Sequence, residues 1–139
     1  MSIIEVDYKE NAGNIANLLD AYTRVQAPEA IETPRKKLSF ALVIDGDIVS
    51  RITGSISFNG LHIELFMSSN QARGKGYGSQ LFAHIEKIAI ESGCHYIVLE
   101  TMSFNAPKFY LDRGFDIIKQ VDDSPIDGEK MYFMFKSLR

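Results

Sequence analysis

Apolar positions change their period along this chain, and each change marks an element. Ile3, Ile4 and Val6 predict a short first strand. From about Asn11 to Tyr22, the residues Ile15, Leu18, Leu19 and Tyr22 recur at helical spacing. The stretch from Gln26 to Pro34 carries two prolines and reads as a loop with a short helix. Strand patterning then takes over, roughly from Ser39 to Ile44. Asp45-Gly46 signals a hairpin turn into a strand from about Ile48 to Phe58, with a break or bulge near Gly54. Asn59-Gly60 is a second turn signal and leads into Leu61 to Met67. These three strands predict an antiparallel meander.

Helical spacing returns with Leu81, Phe82, Ile85, Ile88 and Ala89, which form one apolar face ending at Gly93. Tyr96 to Leu99 is a short apolar run suited to a strand buried on both faces. Strand, glycine loop, helix, strand is a right-handed crossover, so 61–67 and 96–101 are expected to run parallel. A short helix is expected near Ala106 to Arg113, stopping at Gly114, and final strands at Phe115 to Val121 and Met131 to Phe135. The fold class is α/β (α+β). The expectation is a mixed, mostly antiparallel sheet of six to seven strands with helices on both faces. No linker or repeat interrupts residues 1–139, which read as a single domain.

Composition narrows the function only slightly. Of 139 residues, 45% are hydrophobic and 24% charged, ordinary values for a globular chain. A net charge of −3 gives no electrostatic case for nucleic acid and suits a cationic substrate weakly. The one cysteine, Cys94, excludes an internal disulfide framework and offers no zinc spacing, so no metal is expected. The N-terminus lacks the apolar core of a signal peptide, and no run approaches a membrane span. Reducing cytoplasm is the expected setting.

The chemistry concentrates in Gln71-Ala72-Arg73-Gly74-Lys75-Gly76-Tyr77-Gly78, directly before the strongly periodic helix. Glycines let a ligand approach the backbone, and free N–H groups at a helix start attract phosphate. A Walker loop fails here, because Gly76 follows Gly74-Lys75 and Ser69 stands where the first glycine belongs. A dinucleotide loop fits poorly, with Ser79 or Leu81 at its third glycine and three antiparallel strands ahead of it. Arg73-x-x-Gly76-x-Gly78 does resemble the cofactor loop of the GNAT family of N-acetyltransferases. Gln71-x-x-Gly74-x-Gly76 also satisfies the pattern, but the Arg73 register leaves Ser79-Gln80-Leu81 as the helix start. The segment from Asn105 to Phe115, with Tyr110 before Gly114-Phe115, resembles the family's second hallmark. The resemblance covers roughly Ser39 to Phe135.

It implies an acetyl-CoA-dependent transfer to a primary amine. The central parallel strands are then expected to splay, admitting the pantetheine arm. Backbone groups of Phe66, Met67 and Ser68 would pair with that arm. Arg73, Gly74, Lys75, Gly76, Tyr77, Gly78 and Ser79 would wrap the pyrophosphate. Tyr110 corresponds to the general acid that protonates the departing thiolate. His62 and Glu64 share a strand face and are alternative general bases, with a water chain as a third route. Relatives often carry Asn seven residues before the tyrosine. Ser103 stands there instead, and either Ser103 or Asn105 would contact the cofactor or cap the short helix. The acceptor stays open: a small-molecule amine, an antibiotic, a polyamine or a protein amine. A homodimer is common in such proteins. The alternative function is a non-catalytic acyl-CoA sensor.

Other residues read more plainly. Cys94 and His95 are adjacent on an emerging strand and point to opposite faces, so Cys94 is expected to be a small buried thiol. His84 is expected on a solvated helix face. Phe104, Phe109, Phe115, Tyr132, Phe133 and Phe135 read as packing residues, and 122–129 as an acidic hairpin loop.

Overall fold

The computed structural model describes residues 1–33, 35–69 and 74–139. It contains two units, Met1–Thr33 and Pro34–Arg139. In the first, helix α1 spans Tyr8–Gln26 and helix α2 spans Pro28–Ile31. Asp7 caps α1, its carboxylate accepting from the Glu10 N–H at 3.0 Å. Arg24 in the last turn suits the negative end of the helix dipole. These two features extend the helix beyond the apolar repeat that announced it. The strand expected at Ile3, Ile4 and Val6 is absent: residues 1–7 carry no strand. The chain runs from Val6 directly into the Asp7 cap, and no described strand pairs with this short run.

The second unit contains β1 (Lys36–Ile44), β2 (Asp47–Ser57), β3 (Gly60–Ser68), helix α3 (Tyr77–Glu91), β4 (Tyr96–Met102), helix α4 (Pro107–Leu111), β5 (Asp116–Asp122) and β6 (Lys130–Ser137). The strands form one sheet in the order β1-β2-β3-β4-β6-β5. Only β3 and β4 are parallel, as a crossover through α3 requires. Asp45 and Gly46 both have positive φ (50° and 83°), giving the primed turn that the sequence signalled. The second turn lies one residue earlier than Asn59-Gly60 suggested. Ser57 pairs with Gly60, which leaves Phe58 and Asn59 at the tip, with Phe58 at φ 56°. Gly60 instead serves the sheet. It faces Tyr96 on β4, and a Cβ there would lie 2.2 Å from the Tyr96 ring.

The core forms between the sheet and α3. Phe82, Ile85 and Ala89 are fully buried, against Ile52, Leu61, Ile97 and Met134. Strand β4 is not buried on both faces, contrary to its apolar appearance. Ile97, Leu99 and Thr101 are buried, Tyr96 and Val98 are half-buried, and Glu100 is exposed. Phe82 is the hub: Phe66, Phe109, Tyr110 and Phe115 all lie 5.8–5.9 Å from its ring. One side chain thus joins α3, β3, α4 and the start of β5. Lys136 on β6 reaches Glu86 on α3 at 2.6 Å, tying the helix to the far side of the sheet. Among the described residues, no helix is long and apolar enough to cross a membrane.

Candidate active site

The site begins with one extra residue in β3. Thr53 pairs with Leu65 and Gly54 with Ile63, which leaves Glu64 unpaired as a β-bulge. The bulge shifts the side-chain phase of the strand. Before it Leu61 and Ile63 are buried; after it Leu65 and Met67 are exposed, and Phe66 turns toward Phe82. Gly54 accommodates the irregularity: a Cβ there would meet the His62 carbonyl at 2.9 Å. The parallel pairing with β4 stops at the same level. Gly60, Leu61 and His62 pair with Tyr96, Ile97 and Val98, and no pairing follows. Beyond that vertex the strands bound a cleft of ≈ 680 Å³. Glu64, Phe66, Met67 and Ser68 line one side, and Leu99, Glu100, Thr101 and Met102 the other.

The glycine-rich segment closes one end. Gly76 caps α3 in the left-handed conformation, φ 78°, and no side chain caps the helix. The first intrahelical bond runs from the Gln80 N–H to the Gly76 carbonyl, 3.1 Å. The preceding N–H groups at this end therefore have no intrahelical acceptor. Gly74, Gly76, Gly78 and Ser79 line the cleft. Gly78 packs against β3: an added Cβ would lie 3.0 Å from Ser68 Oγ and 3.3 Å from the Phe66 ring. Ser68 itself is held by the buried Ser50, hydroxyl to hydroxyl at 2.9 Å.

Helix α4 brings in Tyr110. Its side chain is buried against Phe82, Phe109 and Phe115, and it lines the cleft. Burial pushes its pKa up to about 12, and the Arg113 guanidinium offsets part of that rise. The phenol is therefore a retained proton. Arg113 lies 3.5 Å above the Phe109 ring, donates to the Phe109 carbonyl at 2.7 Å, and donates to Ser79 Oγ. It joins α4 to the start of α3.

The structure gathers most of the expected site residues and separates a few. Glu64, Phe66, Met67, Ser68, Gly74, Gly76, Gly78, Ser79, Asn105 and Tyr110 share the cleft. His62 lies at its vertex, with Nε2 2.8 Å from Glu100 Oε2. Lys75 and Tyr77 do not line it. Arg73, and with it Gln71, lies outside the described residues. Ser103 points elsewhere: its hydroxyl donates to Glu129 and accepts from the Lys130 N–H at 2.9 Å, tying the end of β4 to the start of β6. Neither Ser103 nor Asn105 caps α4. Ala106 takes that position at φ 51°, with Pro107 in the first turn and no side-chain cap.

Glu100, Phe104 and Phe109, the ring beneath Arg113, are among the cleft residues that the sequence reading did not place there. Phe104 is not a packing residue but is exposed at the cleft. The signal available for Glu100 was the charge ending an apolar run on a strand. His84 is exposed but lies edge-on to Phe40, with ring centroids 4.7 Å apart. Cys94 is buried, and burial raises its thiol pKa, so it is a poor nucleophile. Among the described residues, no cluster of His, Cys, Asp or Glu forms a metal site.

Known proteins share this fold. Residues 6–115 match the model of the acetyltransferase (GNAT) family. A blasticidin-S acetyltransferase from Streptomyces morookaense is 35% identical over 94 residues, covering 67% of this chain and 68% of that protein. The crystal structure of an acetyltransferase from Bacillus cereus superposes with a TM-score of 0.86 at 33% identity, covering 99% of both chains. An aminoglycoside 6'-N-acetyltransferase solved with coenzyme A shares the fold at 18% identity and a TM-score of 0.66, over 100% of this chain and 98% of its own. The chain belongs to the GNAT family of acetyltransferases.

Proposed function

We propose that this protein transfers the acetyl group of acetyl-CoA directly to a primary amine, with residues 1–139 acting as one domain in the cytoplasm. The observation that carries the reading is Tyr110 at the cleft, its ring buried and its protonated hydroxyl accessible and without a hydrogen-bond partner among the described residues. The proton is thus in place when a thiolate departs, although burial makes its release harder than from a free phenol.

The cleft fits the co-substrate in two further respects. Strands that cease pairing leave backbone donors and acceptors open to an amide-bearing arm, beside Phe66, Met67 and Ser68. The uncapped start of α3 offers Gly76, Tyr77, Gly78 and Ser79 N–H groups to a pyrophosphate, with Gly74 and Lys75 adjoining. Arg73 belongs to this group by its place in the motif. Asn105 contacts the cofactor from the opposite wall, and Ser103 supports that wall through Glu129.

Acetyl transfer also needs a neutral amine. His62 and Glu64 on β3 are the candidate bases. Glu64 and Glu100 give the cleft two carboxylates, which suits an acceptor that arrives as a cation. The resemblance to a blasticidin-S acetyltransferase supports a small antibiotic-like amine among the acceptors. The test is coenzyme A release with acetyl-CoA and a panel of amines. Turnover that falls sharply in Tyr110→Phe, with acetyl-CoA binding retained, is the expected result. Tight binding of acetyl-CoA with no turnover on any amine would favour an acyl-CoA sensor instead.

A further inference from the structure

We infer that Glu100 is a positioning residue for His62, and that the two act as one proton-accepting pair at the vertex of the cleft. The inference rests on the acetyl-transfer reading above and assigns its base. His62 is the last residue of β3 paired with β4, opposite Val98. Glu100 lies two residues further along β4, on the same face as Val98, where the strands have parted. The imidazole spans that gap, and Nε2 meets Oε2 at 2.8 Å. The two side chains are 42% and 41% exposed, so substrate and water reach them.

The chemistry follows from what each atom can do. A carboxylate only accepts hydrogen bonds, so Nε2 carries the proton of this bond. In the neutral ring, Nδ1 then holds the lone pair and is the basic atom. Among the described residues, Nδ1 of His62 has no hydrogen-bond partner. When Nδ1 takes a proton, the imidazolium that forms already has a carboxylate against it. Glu100 thus fixes the tautomer and orients the ring without touching the reacting atoms.

Glu64 lacks such support. It is the exposed, unpaired residue of the bulge, and no described side chain is bonded to it. Its position re-aims β3; the base itself lies two residues before it. In the transfer, a C–N bond forms between the neutral amine and the acetyl carbon, and the C–S bond breaks. An acceptor that arrives as a cation first loses one proton to bulk water. The proton released from nitrogen as the C–N bond forms passes to His62 Nδ1, and the Tyr110 proton passes to sulfur. Imidazolium and phenolate then return to their starting forms by proton exchange through water.

The experiment is a double-mutant cycle on His62→Ala and Glu100→Ala, read as kcat and KM for the amine, together with nitrogen-15 spectra of the His62 ring. His62→Ala is expected to lower kcat about 100-fold. Glu100→Ala is expected to lower it about tenfold, with acetyl-CoA binding within about twofold of the parent. The double variant is expected to match His62→Ala, since Glu100 acts only through the ring. The ring spectra should show Nε2–H in the parent and a mixture of tautomers in Glu100→Ala. Multiplying effects, an unchanged kcat in Glu100→Ala, or a ring protonated on Nδ1 in the parent would each overturn the pairing. If the parent acetylates no amine, the transfer reading fails, and the ring spectra still decide the pairing alone.

Discussion

The two ends of the β3–β4 pair behave as different materials. At the closed end Gly60, Leu61 and His62 are bonded to β4, Leu61 and Ile97 are fully buried, and the Tyr96 ring fills the space that Gly60 leaves. At the open end the same two strands share no bonds, and the residues between them line a cleft. One unpaired residue, Glu64, separates the two regimes. The sheet itself supplies the two walls of the cleft, through one residue out of register and a neighbour that does not follow it. The glycine-rich segment closes one end.

The largest effect is expected where both ends share a support. Phe82→Ala removes the ring on which Phe66, Phe109, Tyr110 and Phe115 converge. It should cost about 3–5 kcal/mol in chemical denaturation. A loss under about 1 kcal/mol would mean the hub is not shared. Tyr110→Phe tests the open end by itself. It should lower kcat about 100-fold, equivalent to about 2.7 kcal/mol in barrier, with a small change in stability. A large stability loss from removing only the hydroxyl would make Tyr110 part of the closed end.

Gly60→Ala tests the closed end alone. The added Cβ meets the Tyr96 ring, which is stacked on Phe135 with centroids 5.5 Å apart. The expected cost is about 1–3 kcal/mol in unfolding, relieved in part by combining it with Tyr96→Ala. An additive pair would show that the ring is not what the methyl meets. The smallest effect is alkaline. The Tyr110 pKa is raised to about 12 by burial, above its unfolded value near 10. Its contribution to stability is therefore intact below pH 10 and declines as pH rises toward 12. Melting temperatures over that window should fall less steeply in Tyr110→Phe.

The sequence made the scaffold legible because its signals were local and strong. Apolar spacing located α3, paired turn residues located the meander, and a strand–helix–strand order required a parallel pair. The glycine motif and Tyr110 reach the same cleft, 32 residues apart by their numbers Gly78 and Tyr110. What stayed hidden depends on partners distant in sequence. Glu100 became interesting only through a bond to His62, 38 positions away. Ser103 reads in sequence as a cap or a cofactor contact, but its bonds go to Glu129 and Lys130 at the start of β6, 26 and 27 positions away. Ile3, Ile4 and Val6 had strand composition, but composition supplies no neighbour to pair with.

The phase shift at Glu64 also bears on how such a protein can diversify. Leu65, Met67 and Phe104 are exposed at the cleft, 72%, 63% and 59%, and none belongs to the core. Substitutions at these positions alter the rim of the cleft while leaving the packed hub untouched. On the transfer reading proposed above, acceptor preference can then change apart from folding. A library confined to these three side chains would explore new amines at little risk to expression, and the same freedom is open to natural drift.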